Sequence, residues 1–165
     1  MVTLSEFNST AGEQLRPDLL TCCDVPAWAD GVLADRPYAD IEGVLARADE
    51  LAGALSGTDV DRALAAHPRI GDRVSGTDTG SAWSRQEQAG VGQDVAIAAQ
   101  LLDGNRAYEK RFGRVFLICA TGLSAEQILA SLHRRLTNDD ATEAAVVADE
   151  LRKIAVLRLR KVFGQ

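Results

Sequence analysis

Histidine and cysteine are scarce in this chain of 165 residues, which holds His67 and His133 and the cysteines Cys22, Cys23 and Cys119. An odd cysteine count, with two adjacent and none in CxxC spacing, argues against a disulfide framework and a zinc cage. The two histidines are far apart, so there is no HExxH. The P-loop GxxxxGK[ST] and a GxGxxG between strand and helix are missing too. The chemistry is therefore expected to need no metal and no nucleotide cofactor. Basic residues number 18 against 24 acidic ones, a net charge of −6. That balance speaks against a nucleic-acid or anionic-membrane partner, either of which calls for a basic face. The longest apolar run, VFLICA at 115–120, is far short of the roughly 20 residues of a membrane span. MVTLSEFNST lacks a basic region followed by an apolar one, so no signal peptide is expected. Phe163-Gly164-Gln165 is no retention or peroxisomal tag, and the expected compartment is the cytoplasm.

Aromatic residues are also few, at 5%, whereas Ala occurs 26 times and Leu 19 times. Ala and Leu lead the helix propensities, while aromatic and β-branched residues favour strands. The expected fold is all-α, a single compact bundle of about eight helices over residues 1–165. Apolar spacing and capping signals place helices near 3–9, 12–22, 26–34, 40–55, 59–66, 84–103, 105–112, 124–136 and 139–163. Capping boxes are expected at Thr3/Glu6, Ser84/Glu87 and Ser124/Gln127. Pro68 disfavours helix at His67, and the Gly-rich stretch 69–80 reads as a loop. The 115–120 run is ambiguous between buried strand, helix and irregular chain.

Some polar residues fall where the apolar face should be. With Val147 at 0° and about 100° per residue, Leu151, Ile154, Ala155 and Val162 lie between about −20° and 80°. Arg158 falls at about 20°, inside that stripe, while Lys153 and Arg160 fall on the opposite side. A buried guanidinium demands an anionic partner or several carbonyls. A structural ion pair, a snorkelling side chain and a ligand contact all remain open for it. On the 84–103 segment, Val95, Ala98 and Leu102 share the face of Val91, and Ser84, Glu87 and Gln88 extend it backwards. The capping box accounts for Ser84 and Glu87 but not Gln88, and a polar cluster at a helix N-terminus also suits a polar ligand. An unperturbed imidazole titrates near about 6.5, so the residue type at His67 suits proton transfer. The other reading is a histidine that bonds the carbonyls ending the 59–66 helix, the more common outcome for a lone histidine. His133 has no assigned role, the Cys22-Cys23 pair reads as packing, and Asp72, Asp78 and Asp94 read as solvated or capping.

Together AHPRIGDR (66–73), SAWSRQEQAGV (81–91), FLICATGLSAEQILA (116–130) and KIAVLRL (153–159) resemble the OHCU decarboxylase family. Those enzymes act on 2-oxo-4-hydroxy-4-carboxy-5-ureidoimidazoline, between urate and (S)-allantoin. The resemblance runs from Phe7-Asn8 to the last helix. It implies an all-α, cofactor-independent enzyme that forms a homodimer. It further implies that His67 and Glu87 are catalytic and that Arg158, at the KIxxLRL position, contacts the substrate as a third catalytic residue. Pro68, Ser84, Gln88 and the backbone of Cys119, Ala120, Thr121, Gly122 and Leu123 match the family's other substrate contacts. Relatives often carry Lys or Arg at the position of Leu123, so the side-chain contact is not carried over and the backbone one is. The 165 residues hold no transthyretin-like hydrolase segment such as is fused to some relatives, so the preceding hydroxyisourate hydrolysis is expected to fall to a separate protein. The competing functions are a non-catalytic helical ligand-binding module and an acid–base hydrolase or lyase on a related ureide.

Overall fold

The computed structural model describes residues 1–72, 74–92 and 94–165. Arg73, within the predicted 69–80 loop, and Gln93, within the predicted 84–103 helix, lie outside the described residues. Among those described there is no strand, and the α-helices are α1 (Leu4–Ser9), α2 (Gly12–Cys22), α3 (Pro26–Ala34), α4 (Ile41–Gly53), α5 (Gly57–Leu64), α6 (Thr79–Glu87), α7 (Val95–Phe112), α8 (Ala125–Arg135) and α9 (Asp140–Val162). A 3-10 turn occupies Ala89–Val91. The all-α expectation holds, and no described helix is long and apolar enough to cross a membrane.

Local chemistry explains most helix starts. Thr3/Glu6 and Ser124/Gln127 form the expected capping boxes on α1 and α8, each satisfying backbone donors that a helix leaves unpaired. Asp40, Ser56, Asp78 and Asp94 accept from first-turn amides of α4, α5, α6 and α7. Pro26 opens α3 at a position where a missing N–H costs nothing.

The chain divides into two units, residues 1–66 with 151–165, and residues 67–150. In the first, Phe7, Trp28, Ala29, Val32, Val44 and Ala48 are fully or almost fully buried. The Trp28 indole N–H donates to Ala48 O at 2.9 Å, and the Phe7 and Phe163 rings meet edge-on at 5.2 Å. In the second, Ile70, Leu101, Tyr108, Phe116, Ile118, Ile128 and Leu132 form the core. Gly104 lets α7 and α8 pack closely, because a Cβ there would press into the Leu132 side chain.

Several linked expectations fail between residues 84 and 112. Residues 84–103 are not one helix: α6 ends at Glu87, Gly92 has φ 70°, and α7 restarts at Val95 under its Asp94 cap. The shared apolar face goes with it, since Val95 is 83% exposed and Leu102 45%. Ser84 and Glu87 consequently form no capping box. Asp78 caps α6, with Ser84 in mid-helix and Glu87 at its end. The predicted break at 104 is also absent, for α7 runs on to Phe112. The ambiguous 115–120 run is resolved as irregular chain, with Phe116, Leu117, Ile118 and Ala120 buried.

Candidate active site

His67 lies just past α5, outside the helix as Pro68 requires, and both residues are half-buried. The loop that follows is held at three points. Arg69 forks onto Glu109, with Nε 2.5 Å and Nη2 2.9 Å from its carboxylate oxygens. Asn105 Nδ2 donates to Ile70 O at 2.9 Å, and Gly71 N donates to Gln88 Oε1 at 3.0 Å. Gly71 takes φ 88°, which a side chain rarely tolerates. Asn105 is buried, its Oδ1 has no hydrogen-bond partner among the described residues, and it lines a cavity of about 300 Å³ with Ile70, Asp72 and Asp94.

The Gln88 bond ties this loop to the end of α6, where Glu87 is half-buried and Ser84 is buried. Asp78 anchors the other end of α6, accepting from Ser81 N at 3.0 Å and Ser81 Oγ at 2.7 Å. Those bonds hold the Asp78 carboxyl below its usual range. Arg85 reaches back to Gly76 O at 2.6 Å, fixing the loop before α6.

The third piece is the turn 120–123. Leu123 N donates to Ala120 O at 3.0 Å, and Gly122 has φ 80°. Ala120 is buried, Thr121 and Gly122 are exposed, and Cys119 and Leu123 are half-buried. The Leu123 carbonyl approaches Gly90 so closely that no Cβ would fit there. The second unit thus joins three segments: the His67-Pro68 loop, the Glu87-Gln88 end of α6, and the 120–123 turn. Among the described residues, no group of three or more His, Cys, Asp or Glu could hold a metal ion.

Arg158 belongs to the first unit. The helical stripe is as expected: Val147, Leu151, Ile154, Ala155 and Val162 are buried, Arg158 is 3% exposed and Lys153 is exposed. Its Nη1 donates to Thr21 O at 3.1 Å. Nearby, burial pushes the Cys23 thiol up to about 12, helped by Asp24 and opposed by Arg158. Cys23 is therefore a protonated packing residue, not a nucleophile. His133 is exposed.

A buried polar network went unnoticed in the sequence. Glu143 is fully buried and accepts from Tyr108 Oη at 2.5 Å, from Arg135 Nε at 2.8 Å and Nη2 at 2.6 Å, and from Asn138 Nδ2 at 3.0 Å. Burial pushes its carboxyl up, but these bonds outweigh that and leave it below the ordinary glutamate value of 4.5. The signal was present: on the wheel that singled out Arg158, Glu143 falls at about 320°, beside Val147.

The fold is all-α, and a hydrogen bond ties the loop after His67 to the helix end that carries Glu87 and Gln88. The family description "OHCU decarboxylase" matches residues 8–160. The chain is 32% identical over 141 residues to the 2-oxo-4-hydroxy-4-carboxy-5-ureidoimidazoline decarboxylase of Amia calva, covering 84% of this chain and 81% of that protein. It is 25% identical to the uric acid degradation bifunctional protein of Bacillus sp. (strain TB-90), matching all of this chain and 33% of that longer protein. A crystal structure of OHCU decarboxylase in the presence of (S)-allantoin superposes with a TM-score of 0.74 at 26% identity, over 90% of this chain and 98% of that one. The chain belongs to the OHCU decarboxylase family.

Proposed function

We propose that the protein decarboxylates 2-oxo-4-hydroxy-4-carboxy-5-ureidoimidazoline to (S)-allantoin and CO2, with stereospecific protonation, in urate degradation. The observation that carries this reading is the Gln88–Gly71 hydrogen bond, which ties the loop bearing His67 to the helix end bearing Glu87. The bond between the ring carbon and the carboxylate breaks, and its electron pair moves into the substrate's own C=N bond as CO2 leaves. Because the substrate supplies this electron sink, no cofactor is called for. His67 handles the proton, polarising the ring hydroxyl, which becomes the product carbonyl, or delivering the proton that the adjacent ureido-bearing carbon takes up after CO2 has left. Glu87 holds the hydroxyl or ureido N–H groups and orients His67. Arg158 pairs with anionic oxygen. Ser84 and Gln88 fix the ureido end, Pro68 walls the site, and the backbone from Cys119 to Leu123 supplies further contacts. In the same reading residues 1–165 act as one domain, in a cytoplasmic homodimer.

The test is turnover of freshly generated substrate followed by circular dichroism. Accelerated loss with only (S)-allantoin formed supports the assignment. Unchanged decay with racemic product points to a non-catalytic binding module, and ureide cleavage without CO2 release to a hydrolase.

A further inference from the structure

The buried run 115–120 poses an accounting problem. It belongs to no helix or strand, so its backbone groups have no ladder to satisfy them, and buried amides are rarely left unpaired. Two charged side chains from different helices step in. Arg135, at the end of α8, donates Nη1 to Leu117 O at 2.7 Å. Glu150, on α9, accepts from Cys119 N through Oε2 at 2.9 Å. The two anchors are two residues apart and lie immediately before the 120–123 turn.

Arg135 is itself immobilised. Two of its donors reach Glu143, and its guanidinium lies over the Phe116 ring at 4.5 Å. Packed apolar residues could stabilise a core as well as such a pair does. What they could not do is aim a donor at one chosen carbonyl. Glu150 has a different setting, half-buried rather than sealed in.

We propose that Arg135 and Glu150 are positioning residues, which fix the backbone at Leu117 and Cys119 so that the 120–123 turn meets the substrate in one orientation. The inference rests on the reading of Cys119–Leu123 as a substrate contact. Neither side chain reacts; each acts through the main chain it holds. A misplaced backbone contact would loosen the ring on the enzyme and open both its faces to protonation, so stereochemistry is affected as well as rate.

The test compares E150A with E150Q in the full chain. Gln keeps an oxygen that can accept from Cys119 N, whereas Ala removes it. E150A should lower kcat/KM by about 10- to 100-fold, the range for a hydrogen bond to a charged group. It should also raise the (R)-allantoin fraction and speed amide exchange at Cys119, with the far-UV circular dichroism unchanged. E150Q should return all three within about threefold of the wild type. Wild-type rate, stereochemistry and exchange in E150A would overturn the proposal, as would equal impairment of the two variants. A wild-type chain that does not turn over the substrate overturns the functional reading, and the positioning role falls with it.

Discussion

At the scale of single residues, the chemistry rests on few groups, and His67 is the first to test. A positioned proton-transfer group contributes about 10²- to 10⁴-fold in rate. His67→Ala is therefore expected to lower kcat by at least about 10²-fold while the chain stays folded. Steady-state kinetics beside a thermal melt check both halves, and near-wild-type turnover would remove His67 from the mechanism. Arg158 was legible as an inward-facing cation from the spacing of α9 alone. Its Nη1 donates to the Thr21 carbonyl, one of the acceptors that a buried guanidinium requires. Gln88 is a different case. Its inward orientation was deduced from a continuous helix that does not exist, yet its side-chain oxygen does meet the Gly71 amide. The residue was rightly singled out for a reason that failed.

At the scale of elements, the decisive feature is the interruption between α6 and α7. A continuous helix from 84 to 103 would have satisfied its own backbone but lacked the 3-10 turn that sets Gly90 against Leu123. Gly90 makes that approach possible, because the Leu123 carbonyl occupies the space a Cβ would need. Gly90→Ala should accordingly destabilise the protein by about 1–3 kcal/mol, the usual cost of overpacking, and raise KM. Gly57→Ala is the control: nothing lies within 4 Å of its added Cβ, so its urea midpoint should stay level or rise. A Gly90→Ala chain with wild-type midpoint and KM would mean the turn shifts freely. Pattern reading succeeded where an element is governed by its own first and last turns, as in the capping boxes of α1 and α8. It missed the interruption because Val91, Val95, Ala98 and Leu102 happen to keep helical spacing across two elements.

At the scale of the whole molecule, acid stability reports on the buried network around Glu143. Its carboxyl titrates below its ordinary value of 4.5 in the fold. Its stabilising contribution is therefore complete above that value and is lost as pH falls through the lower, folded one. Denaturant unfolding followed from pH 7 downwards should show stability dropping below about pH 4.5. Glu143→Gln, which leaves Arg135 buried without its counter-charge, should cost about 3–5 kcal/mol at pH 7 and flatten that acid slope. An unchanged slope would show that other carboxylates govern acid unfolding. By itself the sequence determined the all-α class, most helix positions and the inward cation of α9, because helices and caps depend on contacts within about four residues. Tertiary structure alone decided how the 115–120 run is satisfied and which partners Glu143 takes. The physical reason is distance along the chain: the partners of Leu117 and Cys119 stand 18 and 31 residues away, and that of Tyr108 stands 35 away. No local pattern spans such separations, and only the folded chain brings those groups together.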